Sequence, residues 1–441
     1  MIAAPGGELL RAPLFHTPRN PFRDSSALES YADGGLLIRD GCIAGCGDYV
    51  SLRAAHPNVP TVDLRGGFLL PGFIDAHTHF PQLRVLGGLG RSLLDWLEHC
   101  ALPEEARMAD HAHACRVARG FVHAMASHGT TTALVFGAHF APATAALFEA
   151  AEAAGLRIAA GQVLSDRRLR PELHQTPELA YRESSLLIER FHRRGRSVYA
   201  VAPRFALSTS EAMLEVCQTL LREHPGILFQ THLNENVQEM AEVVRLFPWA
   251  SDYLAVYERF GLTHPNAIMA HDVHPTDSEL ERLAGSGAAI AHCPSSNAAL
   301  GSGLFPMRRH IDAGVRCALG TDVGGGTGFG MLKEGLQAYL LQRIAPDGML
   351  LDAGHLLYLA TLAGAEALGL SSETGDFRTG KSADFVYLQP PADSALAAVL
   401  EREQSPERVL AAIFTLAGAG SVREVRVEGS IVYRSGATEE R

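Results

Sequence analysis

The stretch Pro71–Gln82, PGFIDAHTHFPQ, ends an apolar run with two histidines two residues apart and a Pro-Gln pair directly after them. Alternate residues of a β-strand point to one side, so His77 and His79 would face a common point. Taken alone, the pair either binds something or is polar punctuation at a strand end. Seven more apolar, β-rich runs follow: TTTALVFG (130–137), RIAAGQVL (157–164), VYAVAPRF (198–205), ILFQTHL (227–233), AIMAHDV (267–273), AAIAHCP (288–294) and RCALGTDV (316–323). With GFLLPGFIDAHTH (67–79) they make eight strands separated by helical patterns. Near-continuous apolar strands alternating with helices mark a parallel sheet buried on both faces, and eight such units predict an α/β fold of the (β/α)8 TIM-barrel type.

The connecting segments agree with this. STSE (208–211) and TDSE (276–279) have the form of a helix capping box, and Gly287 and Gly314 stand where helices should end. Outside the barrel the pattern changes to short strands with glycine turns, GGLLIRDGCIAGCG near the start and GKSADFVYL and VREVRVEGSIVYRSG near the end. These segments predict a small β-sandwich domain built from both termini, 1–66 plus 378–441, around a barrel at 67–377. A helical stretch around 391–420 is expected to link or cover it.

The chain has 441 residues, 47% of them hydrophobic, and a net charge of −11. Binding a phosphate backbone needs a basic surface, so nucleic acid is an unsuitable partner and a small molecule is expected. No run approaches the roughly 18–20 apolar residues of a membrane helix, and the first residues lack the basic-then-apolar order of a secretory signal, so a cytoplasmic protein is expected. Seven scattered cysteines form no zinc-finger or disulfide spacing, and Cys42 and Cys46 are expected to be buried thiols.

Polar residues fall at the ends of the predicted strands: His77 and His79, Arg204, His232, His271, His292 and Asp322. In a barrel these ends converge on the face that carries active sites. Neutral imidazoles and a carboxylate gathered there suit a divalent first-row metal with an open position for water. Glu235 follows His232 by three residues. It either begins the next helix, where a carboxylate suits the dipole, or stands beside the water to move a proton. The glycine-rich GTDVGGGTGFG (320–330) fits neither phosphate-loop pattern and is read as tight turns after Asp322.

The ordered set HTH, THLNE, MAHDV, AHCPSSN and GTD resembles the amidohydrolase superfamily, and the resemblance spans nearly the whole chain. Two-metal members of that superfamily use a carboxylated lysine at the fourth strand. This chain has only Lys333 and Lys381 and carries Arg204 there, so the resemblance implies a single-metal, deaminase-type site. HTHFPQ, LLDWLEHCALPEEAR, APRF, LGSGLFPMRR and LGTDVGGGTGFGML are similar to the guanine-deaminating members. Ala101 and Leu102, and Ala298 with Ala299, depart from that pattern and would alter the pocket wall.

The resemblance implies that His77, His79, His232 and Asp322 hold one Zn²⁺, with Fe²⁺ as the other metal these ligands suit. It implies guanine as substrate, xanthine and ammonia as products, and a homodimer. Asp322 would take a proton from water, Glu235 would protonate the ring nitrogen, and His271 would orient the nucleophile or touch the metal. Arg204 and Gln82 would read the substrate edge, and Phe205 would stack on the ring. Trp96 is either a second stacking group or plain core, and His292 is expected to support the site through Asp322. The alternatives are deamination of another heterocycle, such as cytosine, a triazine or an adenosine derivative, and a non-catalytic metal-binding relative.

Overall fold

The computed structural model describes residues 7–436. In chain order its strands are β1 (Glu8–His16), β2 (Glu29–Arg39), β3 (Cys42–Asp48), β4 (Thr61–Asp63), β5 (Phe68–Pro71), β6 (Phe73–His79), β7 (Thr130–Phe136), β8 (Arg157–Gly161), β9 (Val163–Leu164), β10 (Ser197–Pro203), β11 (Leu228–Leu233), β12 (Ala267–His271), β13 (Ala289–His292), β14 (Arg316–Leu319), β15 (Phe385–Leu388), β16 (Val422–Val427) and β17 (Ser430–Arg434). Strands β6, β7, β8, β10, β11, β12, β13 and β14 form one parallel path, with β9 continuing β8 against β10. Each is almost wholly buried, which is why none alternates polar and apolar residues. Between the first and last strands, the Asp322 N–H donates to the His77 carbonyl at 2.9 Å and the His79 N–H to the Val323 carbonyl at 3.2 Å. The eight predicted runs thus form a nearly closed (β/α)8 barrel.

The remaining strands form a second sheet, in the order β17-β16-β15-β5-β1-β2-β3 with β4 beside β1. It joins both ends of the chain, as expected. The run 67–79 is two strands, however, because the chain changes sheets at Gly72. β5 pairs antiparallel with β15, and a Cβ at residue 72 would lie 2.2 Å from Thr131 Oγ1, a separation only glycine allows. Phe68–Pro71 therefore belongs to the terminal sheet. At the other end, helix Pro406–Leu416 packs on the barrel helices Met331–Ile344 and Ala353–Ala360, so it covers the barrel.

Local signals held unevenly. Thr276 and Glu279 make the reciprocal capping box, and Gly287 and Gly314 end helices with φ of 73° and 87°. In STSE the cap is Ser210, whose Oγ accepts from the Met213 N–H, while Ser208 lies in a preceding 3₁₀ turn. Cys42 is exposed and Cys46 only half-buried, because β3 is an edge strand of the terminal sheet. No described helix is long and apolar enough to cross a membrane.

Candidate active site

The ends of β6, β11, β12 and β14 bring His77, His79, His232, His271 and Asp322 into one buried cluster. Two devices fix the seam where β14 meets β6. Asp75 is fully buried and accepts from the Thr321 N–H at 3.0 Å and the His77 N–H at 3.2 Å. Gly320 supplies the close approach, since a Cβ there would sit 2.8 Å from His77 Cβ and 2.9 Å from its carbonyl oxygen. Residues at and just after the strand ends are held in unusual conformations: Asn234, His271 and Asp322 have φ of 46°, 77° and 46°. Left-handed backbone at non-glycine residues costs about 1–3 kcal/mol each and collects at functional sites.

The donor atoms converge. His79 Nε2 lies 3.1 Å from His77 Nε2 and 3.3 Å from His232 Nε2, and Asp322 Oδ1 lies 3.3 and 3.2 Å from the His77 and His79 Nε2 atoms. An ion bound at about 2.0–2.1 Å by four ligands in a tetrahedron separates them by roughly 3.3 Å, so these residues fit a metal ion. Their chemistry fits too. His232 Nδ1 donates to the Arg204 carbonyl at 2.5 Å, which leaves its Nε2 lone pair facing the cluster. Burial pushes His77, His79 and His232 down, His79 to about 4, which favours the neutral imidazole that metal binding requires. Burial would raise Asp322, but its contacts with His77 and His79 reverse this and hold the carboxyl well below its usual range. Among the described residues a second group, His77, His271 and Cys293, also approaches, but burial keeps the Cys293 thiol protonated.

Glu235 lies against this cluster. Its Oε2 is 3.5 Å from His271 Nε2, and its Oε1 accepts from the Ser302 hydroxyl at 3.2 Å. Burial, and then the negative charge of Asp322, push Glu235 up to about 8. A carboxyl raised this far is suited to hold and give a proton near neutral pH. His271 Nδ1 donates to Asn297 Oδ1 at 2.9 Å, which directs its Nε2 towards Glu235 and Asp322. Glu235 does not begin the following helix, which is capped by Asn236 with Glu239.

Gln82 and Arg204 form the neighbouring wall, and they are joined by a residue to which the sequence reading gave no role. Glu105, buried in the helix Leu102–Ala106, accepts from Gln82 Nε2 at 2.8 Å and from Arg204 Nη2 at 2.9 Å through the same oxygen, Oε1. Burial would raise its carboxyl, but the Arg204 charge, followed by His139, reverses this and holds it at about 2. Phe205, Trp96, Leu93, Leu97 and Leu300 complete the cavity lining. Trp96 is thus both buried and part of the pocket. Ala101, Leu102, Ala298 and Ala299 do not line it, and Ala298 is exposed, so the departures noted there leave this wall unchanged. His292 stacks on Phe305 at 4.2 Å between ring centres and makes no hydrogen bond among the described residues, so it does not reach the site through Asp322. Asn297 and Ser302 also escaped the sequence reading, because neither stands at a strand end. A larger open cleft of about 800 Å³, lined by Asp40, Arg157, Glu373 and Glu428, gathers no comparable donor set.

The profile of the amidohydrolase family matches residues 68–432. The chain belongs to the amidohydrolase family. Among its relatives, the probable guanine deaminase of Deinococcus radiodurans is 56% identical over 97% of this chain and 98% of that protein. The guanine deaminase of Escherichia coli is 39% identical over 94% of both chains. A solved structure of E. coli guanine deaminase superposes with a TM-score of 0.94 at 38% identity, covering 97% of this chain and all of that one. These similarities run through both sheets of this amidohydrolase.

Proposed function

We infer that the chain catalyses the hydrolytic deamination of guanine to xanthine and ammonia. The observation that carries this is the meeting in one cavity of three imidazoles and a carboxylate spaced for a metal ion, a buried Glu235 beside His271 and Ser302, and a wall of fixed donors from Gln82 and Arg204. The relatives named guanine deaminase, matched from end to end, support the same substrate.

His77, His79, His232 and Asp322 would hold one Zn²⁺. Such an ion lowers the pKa of a water to roughly 7 and so supplies hydroxide equivalents at neutral pH. The protein's groups do the rest. Guanine lies flat against Phe205 and Trp96, with its O6 edge facing Arg204 and Gln82. Asp322 receives a proton from the attacking water, which adds to C2. Glu235 gives its proton to the adjacent ring nitrogen; the proton held by Asp322 then passes to the amino group, which leaves as ammonia with the C–N electron pair, while the new C2 hydroxyl returns its proton to Glu235 as the C2 carbonyl forms. His271, oriented by Asn297, accepts a hydrogen bond that aligns the nucleophile. The cavity holds only about 20 Å³, room for roughly one water.

Purified protein given guanine should release ammonia while the ultraviolet spectrum changes to that of xanthine. Much faster turnover of cytosine or an adenosine derivative would transfer the assignment to another heterocycle. Elemental analysis should find about one zinc per chain.

A further inference from the structure

Gln82 and Arg204 arrive from different strand ends, β6 and β10, and nothing in their own segments aligns them. Glu105 does. Its carboxylate can only accept hydrogen bonds, so the atom of Gln82 that meets it at 2.8 Å must be the amide nitrogen. On the other side the Gly324 N–H, which can only donate, approaches Gln82 Oε1 at 3.2 Å. These two contacts leave the amide one orientation, with its second N–H free. The same carboxylate oxygen holds Arg204 Nη2 at 2.9 Å, and the guanidinium packs over Phe205 at 5.4 Å. Gln82, Glu105 and Arg204 are all buried, each residue at most 3% exposed, so a displaced Arg204 would be a buried cation without a counter-charge. The other carboxylate oxygen faces His139 Nδ1 at 3.4 Å, away from the cavity.

We propose that Glu105 is the positioning residue of the substrate-reading wall: it locks Gln82 and Arg204 into a single array of N–H donors that selects a heterocycle presenting a carbonyl edge. This inference rests on the deaminase reading above. Glu105 is not a catalytic residue, because it acts through Gln82 and Arg204. Contacts made equally to substrate and transition state change KM with little change in kcat, and this separates its role from that of Glu235.

The test compares Glu105→Ala and Glu105→Gln with wild type over a full range of guanine concentrations, with metal content and melting temperature measured on each. The alanine variant should raise KM for guanine at least tenfold with kcat within threefold and one metal per chain. Glutamine, which keeps an acceptor oxygen, should recover part of the loss. Gln82→Ala with Glu105→Ala should cost less in kcat/KM than the product of the single changes. If the alanine variant does not fold, the glutamine variant decides, with at least a threefold rise in KM expected. A KM within twofold of wild type in the folded variants, independent effects in the double variant, or metal loss in Glu105→Gln would overturn the proposal. Absence of guanine turnover in wild type would instead remove the deaminase reading itself.

Discussion

Gly320→Ala probes the seam that places the first metal ligand. The added Cβ would lie 2.8, 2.9 and 3.0 Å from the Cβ, carbonyl oxygen and backbone nitrogen of His77. Ordinary packing needs about 3.5 Å or more between such atoms, so β14 and β6 must part by roughly half an ångström. The atoms met are mostly backbone, and Asp75, Thr321 and the Asp322-to-His77 hydrogen bond hold that backbone from both sides. No side-chain rotation relieves the contact. Overpacking of this kind costs about 1–3 kcal/mol. Because the displaced strand carries His77 and adjoins Asp322, the metal set opens with it, and disturbed ligand orientation typically costs 10–100-fold in metal affinity. Metal titration of the apoprotein, followed by melting temperature with and without added zinc, reads both effects. The variant should bind zinc about 10–100-fold more weakly and melt several degrees lower. Wild-type zinc affinity together with wild-type melting would refute the argument that the seam fixes the ligand geometry.

Three further outcomes follow from the same structure. Glu235→Gln keeps the shape and the Ser302 contact but has no proton to give, so kcat should fall by about 10²–10⁴ with metal content unchanged; activity within tenfold of wild type would remove the proton-transfer role. Asn297→Ala removes the only acceptor for His271 Nδ1 among the described residues, which should lower kcat/KM by about 10–100-fold while the protein stays folded, as steady-state assay and circular dichroism would show. In the terminal sheet, burial pushes His16 down to about 4, and its Nδ1 accepts from the Phe377 N–H at 3.2 Å. Below its ordinary value of 6.5 the unfolded chain binds this proton and the folded chain does not. Stability is therefore full above that pH and lost as pH falls towards 4, by at most about 3 kcal/mol. Thermal melts between pH 7 and 4.5 should show a shallower decline in His16→Asn than in wild type; equal slopes would contradict the assignment.

Much of the site was legible because its residues share one signal, a polar side chain ending an apolar strand. His77, His79, Arg204, His232, His271 and Asp322 all carry it, and barrel topology converts that linear regularity into convergence. The same signal misled at His292, whose ring turns onto Phe305. Glu105 was illegible for the opposite reason. It sits in a helix where a glutamate needs no explanation, and only the fold brings it between two strand ends separated by more than a hundred residues in sequence. The terminal sheet was legible in outline, but its border was not, because GFLLPGFIDAHTH reads as one apolar run. What divides that run is a close approach of Gly72 to Thr131, a tertiary fact with no local pattern.

Incubation of the zinc-loaded protein with guanine, with xanthine followed in the ultraviolet and ammonia measured in parallel, tests most directly whether this cavity removes the amino group of guanine. Stoichiometric xanthine and ammonia, abolished by Glu235→Gln at unchanged zinc content, is the predicted result. A fully zinc-loaded protein that leaves guanine intact, or that deaminates cytosine or an adenosine derivative far faster, would contradict it.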